Sequence, residues 1–246
     1  MTEVAPARAP YALGKHVFLC VCGRDFVLLD LVRDKYLSVA APDAAALEGC
    51  IRGWPTAAPM STEIAGSHET ESLLAALLKM GVLTPDLGAG KDATPVALPP
   101  PTEELVADIP GEERPRVRAF DAAAFVAASV TGRRIRKRSS IEQIVARVRA
   151  RRDKAGAFAD MFDFDTARRL LPVFGTLRSL FLSTRALCLL ESIVLLELFA
   201  RYGLYPRWVF GVRTRPFAAH CWLQHEQLVL NDTAERVSAY TPIMAV

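Results

Sequence analysis

Cysteine is scarce in this chain: five in 246 residues, an odd number. That excludes a small disulfide-stapled scaffold and fits a reducing compartment. No apolar run reaches the roughly 20 residues that a bilayer span needs. The greasiest stretch, residues 186–200 (ALCLLESIVLLELFA), is shorter and carries Glu191 and Glu197, so it reads as a buried helix. The N-terminus lacks a basic-then-apolar signal pattern, and a cytoplasmic, non-membrane protein is expected. No glycine-rich phosphate loop, no clustered metal-ligand spacing and no internal repeat is present. A bound nucleotide, other cofactor or metal is therefore not expected. Disorder is excluded as well, because 51% hydrophobic against 23% charged residues is a globular balance.

Proline is unevenly spread. Seven of the 16 fall between Pro85 and Pro115, together with seven acidic and two basic residues. Consecutive prolines cannot join a helix or a central strand. This stretch reads as an extended acidic linker, residues 85–115, between an N-terminal module (1–84) and a C-terminal domain (116–246). Charge separates them too. The module has 7 Lys/Arg against 9 Asp/Glu (net −2), and the C-terminal domain 21 against 11 (net +10).

In the module, His16–Cys22, Asp25–Val32 and Lys35–Val39 read as a three-stranded meander with turns at Gly23-Arg24 and Arg33-Asp34. Asp43 is expected to cap a helix over Ala44–Arg52 that stops at Gly53. A second helix is expected over Glu69–Met80, striped by Leu73, Leu74, Leu77 and Leu78 and ended by Gly81, with a weaker short helix at Ser61–Ala65. The pattern predicts a winged-helix-like unit. A net negative charge argues against DNA, whose phosphates supply most binding affinity. A peptide added along Lys35, Tyr36, Leu37 and Ser38 is the functional reading of the last strand. The alternative is that Tyr36 and Leu37 only pack the module's own core.

The C-terminal domain opens with ten Lys/Arg between Arg133 and Lys154. Ile141, Ile144, Val145 and Val148 stand at helical spacing, which sets the arginines mostly on a solvated face. No aromatics interleave to stack on bases, so nucleic-acid binding is not expected. Docking of an acidic partner is another use.

Chemistry gathers near the end. Cys188 would lie in the first turn or two of a helix that Ser183 or Thr184 could cap and Gly203 could end. A helix N-terminus favours the thiolate, although a lone cysteine in an apolar helix is more often inert. Trp208–Val212, His220–Gln224 and Leu228–Asp232 read as strands. If Glu226 is the apex of the last turn, residue 224 pairs with 228 and His220 with Asp232. The carboxylate would then accept the imidazole Nδ1–H and leave Nε2 for a thiol proton. Cys188, His220 and Asp232 are thus candidate nucleophile, base and orienter. By alternation Cys221 would face away from His220, and His225 would be an exposed turn-tip residue. His16 and His68 have no matching partners.

The residues C-x₃-S (Cys188 to Ser192), G-V-R-x₂-P-F-x-A-H-x-W (Gly211 to Trp222) and V-L-N-D (Val229 to Asp232) resemble the leader peptidases of lasso-peptide biosynthesis, the B proteins. Cys221 stands where that family often has alanine, and His225-Glu226-Gln227 where its turn usually has Asp-Gly. The module from His16 to Leu83 resembles the RiPP recognition element, which holds a leader between its third strand and third helix; Leu74 and Leu77 would join the strand residues there. The resemblance implies an α+β chain with a papain- or transglutaminase-like cysteine protease domain. It implies cleavage of a ribosomal precursor peptide at the leader–core bond by a Cys188-His220-Asp232 triad. It also implies a partner, the asparagine-synthetase-like macrolactam synthetase (C protein), which would carry any ATP requirement. A transglutaminase-type acyl transferase and a non-catalytic peptide adaptor are the rival readings. The backbone N–H of Cys188 is the one oxyanion donor that can be named.

Overall fold

The computed structural model describes residues 9–56, 67–105, 117–181 and 188–246. They form two compact units, Met1–Ala97 and Leu98–Val246.

In the first unit, β1 (Ala12–Gly14) precedes a meander of β2 (Val17–Cys22), β3 (Asp25–Asp30) and β4 (Lys35–Val39). The meander pairs in the order β2-β3-β4, so β4 is its outer strand. Asp30 shapes the loop into β4. Its carboxylate accepts the backbone N–H of Val32 and Arg33 and an Arg33 guanidinium bond at 2.7 Å. His16 Nε2 lies 3.7 Å from the same carboxylate, a partner that the sequence reading did not find.

The first expected helix is shorter and earlier than the sequence implied. It is α1 (Ala41–Ala46), and its N-cap is Ala40 instead of Asp43, with Pro42 in the first turn. Proline is well placed there because it has no N–H to leave unpaired. Ile51 is not helical: it bridges to Tyr11. The second helix, α2 (Ser67–Lys79), holds, and Gly81 follows it at φ 67. The expected helix at Ser61–Ala65 lies outside the described residues. A small sheet absent from the sequence reading joins β5 (Leu83–Thr84) and β6 (Gly90–Lys91) to the two sides of β1. The core gathers Leu19, Phe26, Leu28, Leu47, Trp54 and Leu77. Trp54 stacks on Phe26 (5.4 Å, 11°) and donates its indole N–H to Ala44 O.

The second unit opens with β7 (Glu103–Glu104). The described residues of the stretch expected as a linker, 85–105, are divided between the two units. Residues up to Ala97 fall in the first unit, and Leu98–Leu105 lie along the second unit's sheet. Prolines 99–101 leave few N–H groups to pair, but Thr102 and Glu103 both donate to the Gln227 carbonyl and Leu105 to that of Val229.

Helices α3 (Ala119–Arg138), α4 (Ile141–Ala155), α5 (Phe164–Phe181) and α6 (Cys188–Ala200) follow. Ser140 and Gln143 form a reciprocal capping box at α4, and Asp163 caps α5. The basic run divides by periodicity. Ile144 and Val145 are buried, whereas Arg134, Arg136, Arg138 and Arg147 are exposed. Arg151 and Arg152 turn inward: Arg151 holds buried Glu197 at 2.6 Å and Arg152 binds the Tyr205 carbonyl.

The apolar run is α6. Ser192 through Phe199 are all buried, and Gly203 at φ 75 ends it, with Leu204 N–H bonding back to Phe199 O. Glycine is also needed on α3, because a Cβ at Gly132 would sit 2.8 Å from Val194 of α6. No described helix is long and apolar enough to cross a membrane.

The sheet comprises β8 (Arg207–Thr214), β9 (Phe217–His225), β10 (Leu228–Val229) and, after α7 (Ala234–Ser238), β11 (Thr241–Ala245). Its order is β11-β8-β9-β10-β7, antiparallel except for β10-β7. The apolar α6 packs on it, and fully buried Trp208, Trp222 and Phe199 anchor the core. Full burial of side chains this size stabilises by about 1.5–3 kcal/mol each.

Candidate active site

Cys188, His220 and Asp232 come from a helix, a strand and the loop after a strand. Cys188 begins α6 as described and is half-buried; the candidate caps Ser183 and Thr184 lie outside the described residues. His220 sits mid-strand on β9 at 8% exposure. Asp232 follows β10. The structure brings all three together. His220 Nε2 lies 2.6 Å from Asp232 Oδ2, and the imidazole hydrogen-bonds the Cys188 sulfur.

Two details differ from the sequence reading. The hairpin register is displaced by one: Leu228 pairs with His225 and Val229 with Gln224. The turn is the two residues Glu226-Gln227, with Glu226 at φ 49, where the apex was expected to be Glu226 alone. A continued ladder in that register would not set Asp232 opposite His220. The ladder instead stops. After Leu230 N–H bonds Leu223 O, the Asn231 side chain accepts the Leu223 N–H at 2.7 Å in place of a strand carbonyl. The chain leaves the sheet there, and Asp232 swings to the ring. The second correction concerns the ring. Nε2, not Nδ1, meets the carboxylate, so Nδ1 is the nitrogen left for the sulfur.

Electrostatics follow from these contacts. Burial works against a charged His220, but its bonds to Asp232 and Cys188 outweigh that and raise it to about 9. Burial would raise Asp232. The His220 bond, the Thr233 N–H and Arg236 at 3.7 Å hold it below the ordinary carboxylate value instead. Cys188 is lowered to about 4, first by a bond from the Cys221 thiol, then, against burial, by His220 and by the Cys221 backbone N–H. Between those two values the pair is a thiolate beside an imidazolium.

Cys221 was expected to face away from His220. It occupies the opposite side of β9, yet both its thiol and its N–H reach the Cys188 sulfur. Its own thiol is raised well above the usual value by that contact and by burial. His225 is likewise corrected: it stacks on Phe162 (4.4 Å, 17°) and is half-buried, which lowers its pKa.

Sequence reasoning did not single out the residues that support the ring. Trp222 stacks near it at 6.0 Å and Tyr240 flanks it at 5.3 Å. Gln224, 2% exposed, accepts the Trp222 indole N–H and donates to the carbonyls of Pro99 and Glu226. Alternation along β9 could have grouped His220, Trp222 and Gln224 on one face; Tyr240 left no signal.

Gly211 pairs with His220 across the ladder. A Cβ there would stand 2.8 Å from the Trp222 ring and 3.0 Å from Tyr240 Cβ. Gly211→Ala should therefore displace both rings beside His220. The expected outcome is a loss of about 1–3 kcal/mol in a thermal or urea melt, with slower alkylation of Cys188.

The other candidate residues lie in the first unit. Lys35, Tyr36, Leu37 and Ser38 lie in β4, with Lys35 and Ser38 exposed and no described strand on its outer side. Leu74 of α2 is half-buried against the core. Leu77 is 3% exposed and belongs to that core, so its side chain is not open to a ligand. Among the described residues, no three His, Cys, Asp or Glu side chains cluster as metal ligands would.

Comparison with known proteins places the C-terminal part of the chain in a family. Residues 116–245, more than half of the chain, match the transglutaminase-like superfamily, and the chain belongs to it. That superfamily includes cysteine peptidases and acyltransferases. No curated protein and no solved structure matches the chain.

Proposed function

We propose that this protein is a cysteine endopeptidase that frees a ribosomal precursor peptide from its leader, as the lasso-peptide leader peptidases do. The observation that carries the reading is the chain of contacts Cys188–His220–Asp232, with the sulfur at the imidazole and the carboxylate 2.6 Å from Nε2.

The reaction follows from the protonation states. The Cys188 thiolate attacks the carbonyl carbon of the leader–core bond. The new oxyanion is met by the Cys188 N–H. The His220 imidazolium donates its Nδ1 proton to the departing core amine, and the leader is left as a thioester on Cys188. Neutral His220 then takes a proton from water, whose oxygen attacks the thioester and releases the leader carboxylate. Asp232 keeps the ring oriented and stabilises its charge throughout. No cofactor enters these steps.

The first unit is read as the winged-helix-like leader-recognition module. Its support is β4, an outer strand along which Lys35–Ser38 could pair with an extended leader beside Leu74. The freed core amine would pass to an ATP-using macrolactam synthetase, the expected partner in the cytoplasm.

The test incubates the protein and its Cys188→Ala variant with the precursor encoded nearest its gene, the neighbouring synthetase and ATP. Mass spectrometry follows the products. Leader release by the wild type alone supports the proposal. Intact precursor with both proteins overturns it, and a leader joined to an added amine instead of water would make the protein an acyl transferase.

A further inference from the structure

Cys221 makes no bond to the substrate in the hydrolysis just described, yet it is the neighbour that does most to lower the Cys188 thiol. Cys188 and Ser192 stand one helical turn apart on the same face of α6. The Ser192 hydroxyl is 3.8 Å from the Cys221 sulfur. Cys221 therefore faces the first turn of α6, where Cys188 stands, and its thiol and backbone N–H both act to lower the Cys188 sulfur. Cys221 is 3% exposed and so is shielded from outside thiols, whereas Cys188 is half-exposed. The contact joins a reachable sulfur to an enclosed one, the arrangement in which an oxidised cysteine is resolved within the protein.

We propose that Cys188 and Cys221 form an oxidation site, in which a peroxide oxidises Cys188 and Cys221 resolves it as a reversible disulfide. This goes beyond peptide cleavage and rests on that reading only in taking Cys188 as the reactive thiolate.

The chemistry balances in two steps. The Cys188 thiolate attacks one oxygen of hydrogen peroxide; the S–O bond forms and the O–O bond breaks. Hydroxide leaves and becomes water with the proton held on His220. The Cys221 sulfur then attacks the Cys188 sulfur, displacing the hydroxyl, which departs as water with the Cys221 proton. Two sulfurs have together lost two electrons, and peroxide has become two waters. Without Cys221 the sulfenic acid would meet further peroxide and become sulfinic acid, which thiols do not reduce. The disulfide would silence the nucleophile and preserve it.

The experiment uses the full-length reduced protein. Iodoacetamide labelling at neutral pH first establishes that Cys188 reacts fast. Hydrogen peroxide is then added, followed by digestion without reductant and mass spectrometry, with and without dithiothreitol. Wild type should give a cross-linked 188–221 peptide, and dithiothreitol should restore Cys188 labelling. Cys221→Ala and Cys221→Ser should give Cys188 sulfinic acid instead, with about ten-fold less label recovered relative to each variant's own labelling before peroxide. Two results would each overturn the proposal: fast initial labelling with no cross-link in the wild type, or equal recovery in the variants. Either would leave the peptidase reading standing. Slow initial labelling of Cys188 would overturn both.

Discussion

Cys188→Ala abolishes precursor cleavage, with a fall in kcat/KM of about 10⁴-fold or more, because no other group in the site can carry the acyl chain. Cys221 does not substitute: its sulfur is enclosed, and its thiol is held well above the usual value. The loss should not come from unfolding. The side chains that pack α6 run from Ser192 to Phe199, one turn beyond Cys188, which is itself half-buried. A thermal melt within a few degrees of the wild type, with cleavage gone, is the expected pair of results. Leader binding should persist, since β4 lies in the other compact unit.

The second large effect is at Asp232. Asp232→Asn keeps a hydrogen-bond acceptor for Nε2–H but removes the charge; Asp232→Ala removes both. Burial of His220 then acts against its charged form with less to oppose it, and its pKa falls from about 9 towards or below the ordinary 6.5. The working state needs thiolate and imidazolium together. That state spans the interval above the Cys188 value of about 4 and below the His220 value of about 9. Losing the aspartate lowers the upper edge. Losing imidazolium then weakens the field on the sulfur and raises the lower edge. Activity at pH 8 should fall about 10–100-fold, because the imidazolium fraction drops about tenfold for every pH unit by which the solution lies above the new His220 pKa. Near pH 6 the loss should be smaller. A pH profile of kcat/KM, or of Cys188 alkylation, reads both edges. An unchanged alkaline limb in Asp232→Asn would contradict the role given to this carboxylate.

Much of the site was legible because each side chain carried its own local signal. An apolar run broken only by Glu191, Ser192 and Glu197, with Cys188 near its start, reads as a buried helix, and the block from Gly211 to Trp222 reads as strands around a histidine. The module's meander was equally plain, since Gly23-Arg24 and Arg33-Asp34 punctuate three β-prone runs. What was not legible depended on long-range pairing. The hairpin register turned on Glu226 adopting φ 49, a conformation that non-glycine residues seldom take, and on Asn231 replacing a strand carbonyl. Neither leaves a periodic trace. Strand β7 was hidden because its residues follow three prolines in an acidic stretch, and their backbone pairing is with the distant β10. Alternation put Cys221 correctly on the far side of β9 from His220, but it could not show that the first turn of α6 meets the strand at that point. The start of α1 was misplaced because Asp43 is a favoured cap, whereas Ala40 is the residue whose extended backbone begins the turn.

The most direct test of the central claim is the rate at which iodoacetamide alkylates each of the five cysteines as a function of pH, read by mass spectrometry on the full-length reduced protein. The contacts around the sulfur predict that Cys188 is the fastest at neutral pH, with a reactivity that rises through about pH 4 and not through the roughly 8–9 of an ordinary thiol. Cys20, pushed up to about 12 by burial, and the enclosed Cys221 should lag far behind. His220→Ala should move the Cys188 midpoint upward. If Cys188 instead titrates as an ordinary thiol, or reacts no faster than Cys22 or Cys50, it is not the activated nucleophile and the peptidase mechanism fails.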